Sequence, residues 1–174
     1  MIGVVKALRG PRGCPLAQAP RHLQPYFKER VLVASWYPES DYRDLLLLLG
    51  QTLGARADAS IWRTLGVWGA ERDLQGIYSA MLRPGDPAWT LRSLPKGWAQ
   101  FHDSGRVTLE EVGAGHARLT LRDYPVMCLP LAEVNSGYLE GLLKLSGART
   151  VKVELQEHDP SSARWRLYWT SGSA

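Results

Sequence analysis

Two stretches in which apolar and polar residues alternate constrain the fold of this chain more than any other feature. The first covers residues 107–121 and is interrupted by Gly-Ala-Gly at 113–115. The second covers residues 151–169 and is interrupted by Asp, Pro and Ser at 159–162. Alternation with a period of two is typical of strands that bury one face, and the interruptions have the composition of tight turns. We therefore expect two successive β-hairpins that form an antiparallel sheet of about four strands.

The spacing of apolar residues predicts helices before and between these hairpins. A leucine-rich helix is expected over residues 42–53, a longer one over 58–82, and a third main helix over 131–145. Two short helical pieces are expected within 88–101, on either side of Pro95, because proline disfavours a helix interior. The order helices, hairpin, helix, hairpin predicts an α+β fold in which the helices pack on one side of the sheet.

Positive charge is concentrated at the start of the chain. There are 21 Lys and Arg residues against 17 Asp and Glu, and six of the bases but only one acid lie within residues 1–30. The remaining 15 bases and 16 acids nearly balance, so nucleic acid is not an expected partner. Because residues 1–30 are also rich in glycine and proline, we expect a basic, flexible leader there and a single domain over residues 31–170.

The sequence predicts a cytoplasmic protein without a membrane span. Its longest apolar run is Leu45 to Leu49, far short of the roughly 20 residues that cross a bilayer. The two cysteines, Cys14 and Cys128, form neither a disulfide framework nor a zinc motif, which favours a reducing compartment.

No catalytic motif is found in the sequence. It contains neither a phosphate-binding glycine loop nor the G-x-S-x-G motif of serine hydrolases. The four histidines have no partners at helical spacing, and the adjacent pair His102 and Asp103 is interpreted as structural. Cys128 lies among apolar residues, which raise the pKa of a thiol rather than activate it. We therefore expect no catalytic residue and no metal ligand, and predict that the protein is not an enzyme.

Tryptophan is abundant, with seven residues in a chain of 174. Aromatic side chains supply much of the surface of apolar ligand sites and of dimer contacts, although core packing is the better account of any single ring. The candidates for lining an apolar pocket are the tryptophans outside the final hairpin: Trp36, Trp62, Trp68, Trp89 and Trp98. Gly137 and Gly141 lie four residues apart on the third main helix, where we expect close packing against a sheet or a partner helix.

Several segments match a pattern found in other proteins. They are VLVASWYP at 31–38, GDPAW at 85–89, WAQFHDSG at 98–105, GYLEGLL at 137–143, GA at 147–148 and VKVE at 151–154. Together they resemble small myxobacterial proteins related to the 4-vinyl-reductase-type domain. The resemblance implies the fold that is shared by haem nitric-oxide sensors and by core subunits of the TRAPP tethering complex. It also implies a non-catalytic, homodimeric domain that binds small apolar molecules or partner proteins.

Two departures limit what this resemblance implies. The final hairpin lacks the cysteines that such proteins often carry there, so a metal or redox role tied to those thiols is not expected. The haem sensors need a proximal histidine and a Tyr-x-Ser-x-Arg motif, and no such motif is found here. We therefore predict that the protein has no cofactor and, in particular, does not bind haem.

Two functions from different classes remain open. The first is a sensory or regulatory domain that binds a small molecule in an aromatic-lined apolar pocket. The second is an adaptor or scaffold of the same fold that uses this surface for protein contacts and has no small-molecule ligand. A cavity with one or two inward polar groups would favour the first, and a filled core with an exposed aromatic patch would favour the second.

Overall fold

The structure is a computed structural model that describes residues 1–11, 13–32, 35–54, 57–76 and 78–171. Within these residues the helices are α1 (Ile2–Arg9), α2 (Pro25–Lys28), α3 (Glu39–Leu53), α4 (Ala59–Leu74), α5 (Pro87–Phe101) and α6 (Leu129–Leu145). The strands are β1 (Arg106–Glu110), β2 (His116–Arg122), β3 (Ala148–Asp159) and β4 (Ser162–Ser171). Of the helices in this part of the chain, none has the length and hydropathy that a membrane span requires.

The four strands form one antiparallel sheet in the order β1-β2-β4-β3. Each predicted hairpin is present, and β2 pairs with β4, so that the two hairpins join through their inner strands. Strand β4 shows why one face is covered: Trp165 and Leu167 are buried, whereas the alternate Arg166 and Tyr168 are exposed. The predicted α+β fold with a four-stranded antiparallel sheet is confirmed.

Helix α6 lies between the sheet and α4. Its buried positions include Leu131, Val134, Leu139 and Leu142, which form a continuous apolar surface along the helix. It contacts β3 and β4 through one side and α4 through the other. The molecule is therefore layered as sheet, α6 and α4 in this region.

The contact between α4 and α6, which we call the α4–α6 seam, brings two backbones together. A Cβ atom on Gly66 would overlap the carbonyl oxygen of Val134, and one on Gly137 would overlap that of Arg63. A Cβ atom on Gly141 would lie 2.7 Å from the Cβ of Ala70. Gly137 and Gly141 thus lie in a close helix contact within the chain, and the partner helix is α4.

Arg63 links the α4–α6 seam to the sheet through hydrogen bonds. Its Nε donates to Glu133 at 2.8 Å, and its Nη1 donates to Glu140 at 2.7 Å and to the carbonyl of Val153 at 2.9 Å. One side chain on α4 therefore bridges two carboxylates of α6 and the backbone of β3. Because the side chain is largely shielded from water, these charge-assisted bonds hold the three elements in register.

Residues 1–30 differ from their prediction as a flexible leader. Val4, Val5 and Leu8 of α1 are buried, and α1 packs against α3 and α4. Leu23, the last residue of a short 3₁₀ turn at Arg21–Leu23, is also buried. The spacing of the three α1 residues is that of a short amphipathic helix, in which Lys6 and Arg9 occupy exposed positions. The glycines and prolines of this segment separate packed pieces.

Helix boundaries differ from prediction at two places. Helix α4 ends at Leu74 rather than near residue 82, and a 3₁₀ turn at Ser79–Met81 follows it. Helix α5 runs through Pro95 as one element instead of two pieces. Proline removes one backbone hydrogen bond, but Leu91 and Gly97 on either side of it are buried, so packing keeps the helix together.

Candidate functional site

A cavity of about 330 Å³, which we call the central cavity, lies among α1, α4, α5, α6 and the covered face of the sheet. Most of its wall is apolar or aromatic, and its rings include Trp68, Tyr78, Trp98, Phe101, Tyr138 and Trp165. The polar side chains on the wall include Arg72, Asp73, His102 and Asn135. Such a wall, apolar with a few polar groups, is typical of small-molecule sites.

A second cavity of about 670 Å³ adjoins the first and is more open to solvent. We call it the outer cavity. It is bounded by Leu32 and Trp36 of the segment before α3 and by the first residues of α1. Tyr78, Phe101 and His102 are among the residues that line both cavities, so the two cavities adjoin there.

The five candidate tryptophans are divided among different surroundings. Trp68 and Trp98 line the central cavity, and Trp36 lines the outer one with 72% of its surface exposed. Trp62 is buried beside Gly50 of α3, and Trp89 lies at the surface beneath the guanidinium of Arg83. The structure thus places two of the five on one cavity and two on neither.

Trp165 is not among the tryptophans predicted to line a pocket, because it belongs to the final hairpin. It is buried on β4 and lines the central cavity. Its indole Nε1 donates to Ser136 Oγ at 3.0 Å, which fixes the ring between the sheet and α6. Alternation along β4 places this ring on the covered face, so its position on the wall follows from the strand pattern.

A polar cluster forms around His102 at the boundary of the two cavities. His102 Nδ1 lies 2.6 Å from Glu39 Oε1, and Ser104 Oγ donates to Glu39 Oε2 at 2.5 Å. The indole of Trp98 stacks on the imidazole with a centroid distance of 3.7 Å and an interplanar angle of 9°. Trp98 also donates from Nε1 to the carbonyl of Ser104 at 2.9 Å. The imidazole is therefore fixed by one carboxylate and one ring.

Burial controls the protonation of this cluster. Desolvation lowers the pKa of His102, although the nearby carboxylate of Glu39 acts in the opposite direction. Desolvation and the charge of Glu39 raise the pKa of Tyr124, whose ring lies edge-on to His102. A neutral His102 that donates from Nδ1 to Glu39 keeps a lone pair on Nε2. Among the residues that the structure describes, Nε2 has no hydrogen-bond partner.

The carboxylate that His102 contacts is not the one beside it in the sequence. Asp103 follows it directly, yet the carboxylate that contacts the imidazole is Glu39, 63 residues earlier in the chain. Glu39 is the first residue of α3, and His102 directly follows the last residue of α5. Only the packing of these two helix ends brings the pair together, and no local spacing indicates it.

The family comparison covers almost the whole chain. Residues 4–170 match the family model DUF2378, which is described as a protein of unknown function. The chain belongs to this family. No curated protein matches it.

Solved structures with the same architecture are H-NOX domains. An oxygen-binding H-NOX domain related to soluble guanylate cyclases, in its oxygen complex, is 16% identical, with a TM-score of 0.64 over 98% of this chain and 93% of that chain. A structure from work on haem distortion in the H-NOX family is 14% identical, with a TM-score of 0.65 and the same coverage of both chains. An Fe(II) unliganded H-NOX mutant from K. algicida is 11% identical, with a TM-score of 0.63 over 98% and 88% of the two chains.

These likenesses establish the fold of the DUF2378 chain as that of H-NOX domains. The resemblance to haem nitric-oxide sensors therefore holds at the level of the fold, and the relation to the 4-vinyl-reductase-type domain stays a prediction. The prediction that the protein has no cofactor and does not bind haem is wrong, because its structural neighbours are haem proteins.

One side chain of the DUF2378 chain, His102, would be able to hold a haem iron. A haem-ligating histidine offers one ring nitrogen to the iron and commonly donates from the other to a carboxylate or carbonyl. His102 has this arrangement, since Glu39 contacts Nδ1 and Nε2 is free of partners among the described residues. The rings of Trp98 and Phe101 beside it supply the apolar surface that a macrocycle requires.

Proposed function

We propose that the DUF2378 chain is a non-catalytic sensory domain that binds an apolar small molecule in the central cavity. The observation that carries this proposal is the cavity itself, an aromatic-lined space with a small set of polar groups. Its volume of about 330 Å³ lies at the lower end of the range for small-molecule sites. Each Å² of apolar ligand surface buried there contributes about 25 cal/mol before the costs of association, so this burial is the main source of the expected affinity.

Haem is the first ligand to test. His102 would hold the iron through Nε2, while Glu39 keeps the proton on Nδ1 and orients the ring. Bound haem would supply an iron atom at which a gas such as oxygen binds, as in the oxygen-binding neighbour. Trp98 would keep the imidazole from rotating, and the surrounding apolar wall would exclude water.

Titration of the purified protein with haemin tests this assignment. We expect a shift of the haem absorption band with one equivalent bound, and a loss of that shift in His102→Ala. His158→Ala is the matched control, because His158 is exposed on β3 and lines neither cavity. Equal spectra for wild type and His102→Ala would remove His102 as the ligand.

The same preparation can be screened for ligands other than haem. Fatty acids and aromatic phenols that enter the central cavity should quench the fluorescence of Trp98 and Trp165 and raise the melting temperature by mass action. Native mass spectrometry of protein from its own host reports a retained ligand and tests the expected homodimer. If no compound moves either signal, the sensory proposal fails.

The adaptor alternative is favoured by one feature, the exposed side chains of Leu32 and Trp36 beside the outer cavity. Exposed apolar side chains of this size often contact a partner protein. Trp36→Ser should then weaken a protein complex without changing ligand binding in the central cavity. Pull-down from host extract with wild type and Trp36→Ser separates the two functions. Only the adaptor proposal requires that the wild type retain a partner protein that Trp36→Ser does not.

A further inference from the structure

Arg72 of α4 lies where the central and outer cavities adjoin and contributes to the wall of both. We propose that its Nη1 group binds the carboxylate of an amphipathic ligand whose apolar part occupies the central cavity. This inference rests on the proposed function and specifies its ligand class, an apolar molecule with one anionic end.

The guanidinium of Arg72 is held on two sides. Its Nε and Nη2 both donate to Asp73 Oδ1, at 2.9 and 2.5 Å. The guanidinium carbon lies 4.9 Å from the centroid of the Trp68 ring, a cation–π distance. Because Asp73 and Trp68 both fix this group, its remaining nitrogen is presented in a defined place.

That remaining nitrogen has no partner in the described part of the chain. Nη1 of Arg72 is buried, and no protein acceptor lies within hydrogen-bond reach of it. A buried donor without an acceptor is unfavourable, and a guanidinium nitrogen forms its strongest bonds with carboxylates. An acceptor supplied by a ligand would satisfy Nη1 where the protein does not.

The surroundings favour a ligand with a single negative charge at one end. Asp73 already neutralises Arg72, so the pair presents a directed donor rather than an excess of positive charge. The other groups near this end of the central cavity include the aromatic rings of Trp68, Tyr78 and Phe101. Apolar surface on one side and one buried donor on the other match an amphiphile with a terminal carboxylate.

Arg43 provides an internal comparison. It forms the same pair with the next residue, since its Nε donates to Asp44 Oδ1 at 2.9 Å, and its side chain is about as exposed as that of Arg72. Arg43 lines neither cavity. A change at Arg43 therefore reproduces the loss of charge and of the neighbouring ion pair without affecting the proposed ligand contact.

The test compares decanoate with decanamide, which has the same chain and a neutral end, by calorimetry and tryptophan fluorescence. We expect decanoate to bind about tenfold more tightly to the wild type, because only the carboxylate forms a charge-assisted bond with Arg72. In Arg72→Met, decanoate should bind as weakly as decanamide, whereas Arg43→Met should retain the tenfold preference. Haemin and its dimethyl ester form a second pair that shows whether the carboxylate belongs to a porphyrin or to a fatty acid.

Each outcome decides between the two proposals. If decanoate and decanamide bind in the central cavity of the wild type with equal affinity, the Arg72 contact is overturned and the sensory proposal stays in place. A preference that Arg43→Met and Arg72→Met reduce alike also overturns it, since long-range charge then accounts for the effect. Failure of every probe to bind overturns both. The acid and amide comparison on the wild type stays decisive if Arg72→Met does not fold.

Discussion

The two sides of α4 differ in how closely they pack against the rest of the molecule. Towards α6, Gly66 and Ala70 allow backbone contact, and Arg63 bridges to two helical carboxylates and a strand carbonyl. Towards α1 and α5, Trp68 and Arg72 border cavities. One helix is thus fixed along its length by the α4–α6 seam while its other side leaves space. A rigid wall behind an open site lets a bound molecule be positioned without deforming the fold.

The largest expected effect is at the seam. Gly66→Ala places a methyl group where the carbonyl of Val134 lies, so we expect a loss of about 3 kcal/mol and a melting temperature lower by roughly 6–12 °C. Gly69→Ala is the control in the same helix, because its new Cβ would lie 3.8 Å from the Tyr138 ring. The control should be neutral or more stable by up to about 1 kcal/mol. Similar melting curves for the two variants would contradict the difference in packing between the two sides of α4.

The next largest effect tests whether α1 packs as part of the fold. Leu8 is 1% exposed, so Leu8→Ala should cost about 2–3 kcal/mol in chemical denaturation. Leu16, 40% exposed in the same N-terminal region, is the control, and Leu16→Ala should change stability by less than about 0.5 kcal/mol. If both substitutions are neutral, residues 1–30 behave as the flexible leader that composition suggests.

A smaller, pH-dependent effect is expected at the cavity boundary. Burial lowers the pKa of His102 below its ordinary 6.5, so the unfolded chain binds this proton more readily than the folded protein. Stability should therefore fall as the pH drops from about 6.5 through the lowered pKa, by at most about 1.4 kcal/mol per pH unit. Denaturation at pH 7.5 and 5.5 should show a smaller loss in His102→Gln than in wild type. An equal or larger loss would contradict the direction of this shift.

The smallest expected effect is at Thr120, in the sheet. Thr120 is buried on β2 and its hydroxyl has no partner in the described structure, so Thr120→Val should stabilise by about 1 kcal/mol. Thr90 is equally buried, but its hydroxyl accepts from the Arg83 amide at 3.0 Å and donates to the Asp86 carbonyl at 3.2 Å. Thr90→Val should therefore destabilise by about 1–3 kcal/mol. Thermal melts that rank the variants in reverse order would show that a water satisfies Thr120.

Local periodicity accounts for the part of the fold that was predicted correctly. The alternation around Trp165 and Leu167 identifies β4 and its buried face, and Gly54 at the end of α3 adopts a φ of 57° that favours glycine. The thiol of Cys128 also follows its prediction, since burial raises its pKa. In each case the sequence pattern that supports the prediction lies within a few residues.

The candidate site was less predictable because its parts come from distant segments. His102 contacts Glu39, Trp68 and Trp98 meet on one wall, and Val4 closes that wall from the first helix. None of these relations leaves a spacing pattern in the sequence. The number of tryptophans indicates an aromatic surface but does not show which rings belong to it. Only the packing of the helices places Trp98 on the central cavity and buries Trp62 elsewhere.

The α4–α6 seam also determines when the protein can fold during its synthesis. Arg63 contacts Glu133 and Glu140, which follow it by 70 and 77 residues, whereas β3 and β4 are joined by a short turn. At about 5–20 residues per second, α4 leaves the ribosome roughly 4–14 s before α6 is complete. During this interval the glycine-lined side of α4 has no helix to cover it. The contacts that cover this side of α4 therefore form only after α6 has been synthesised.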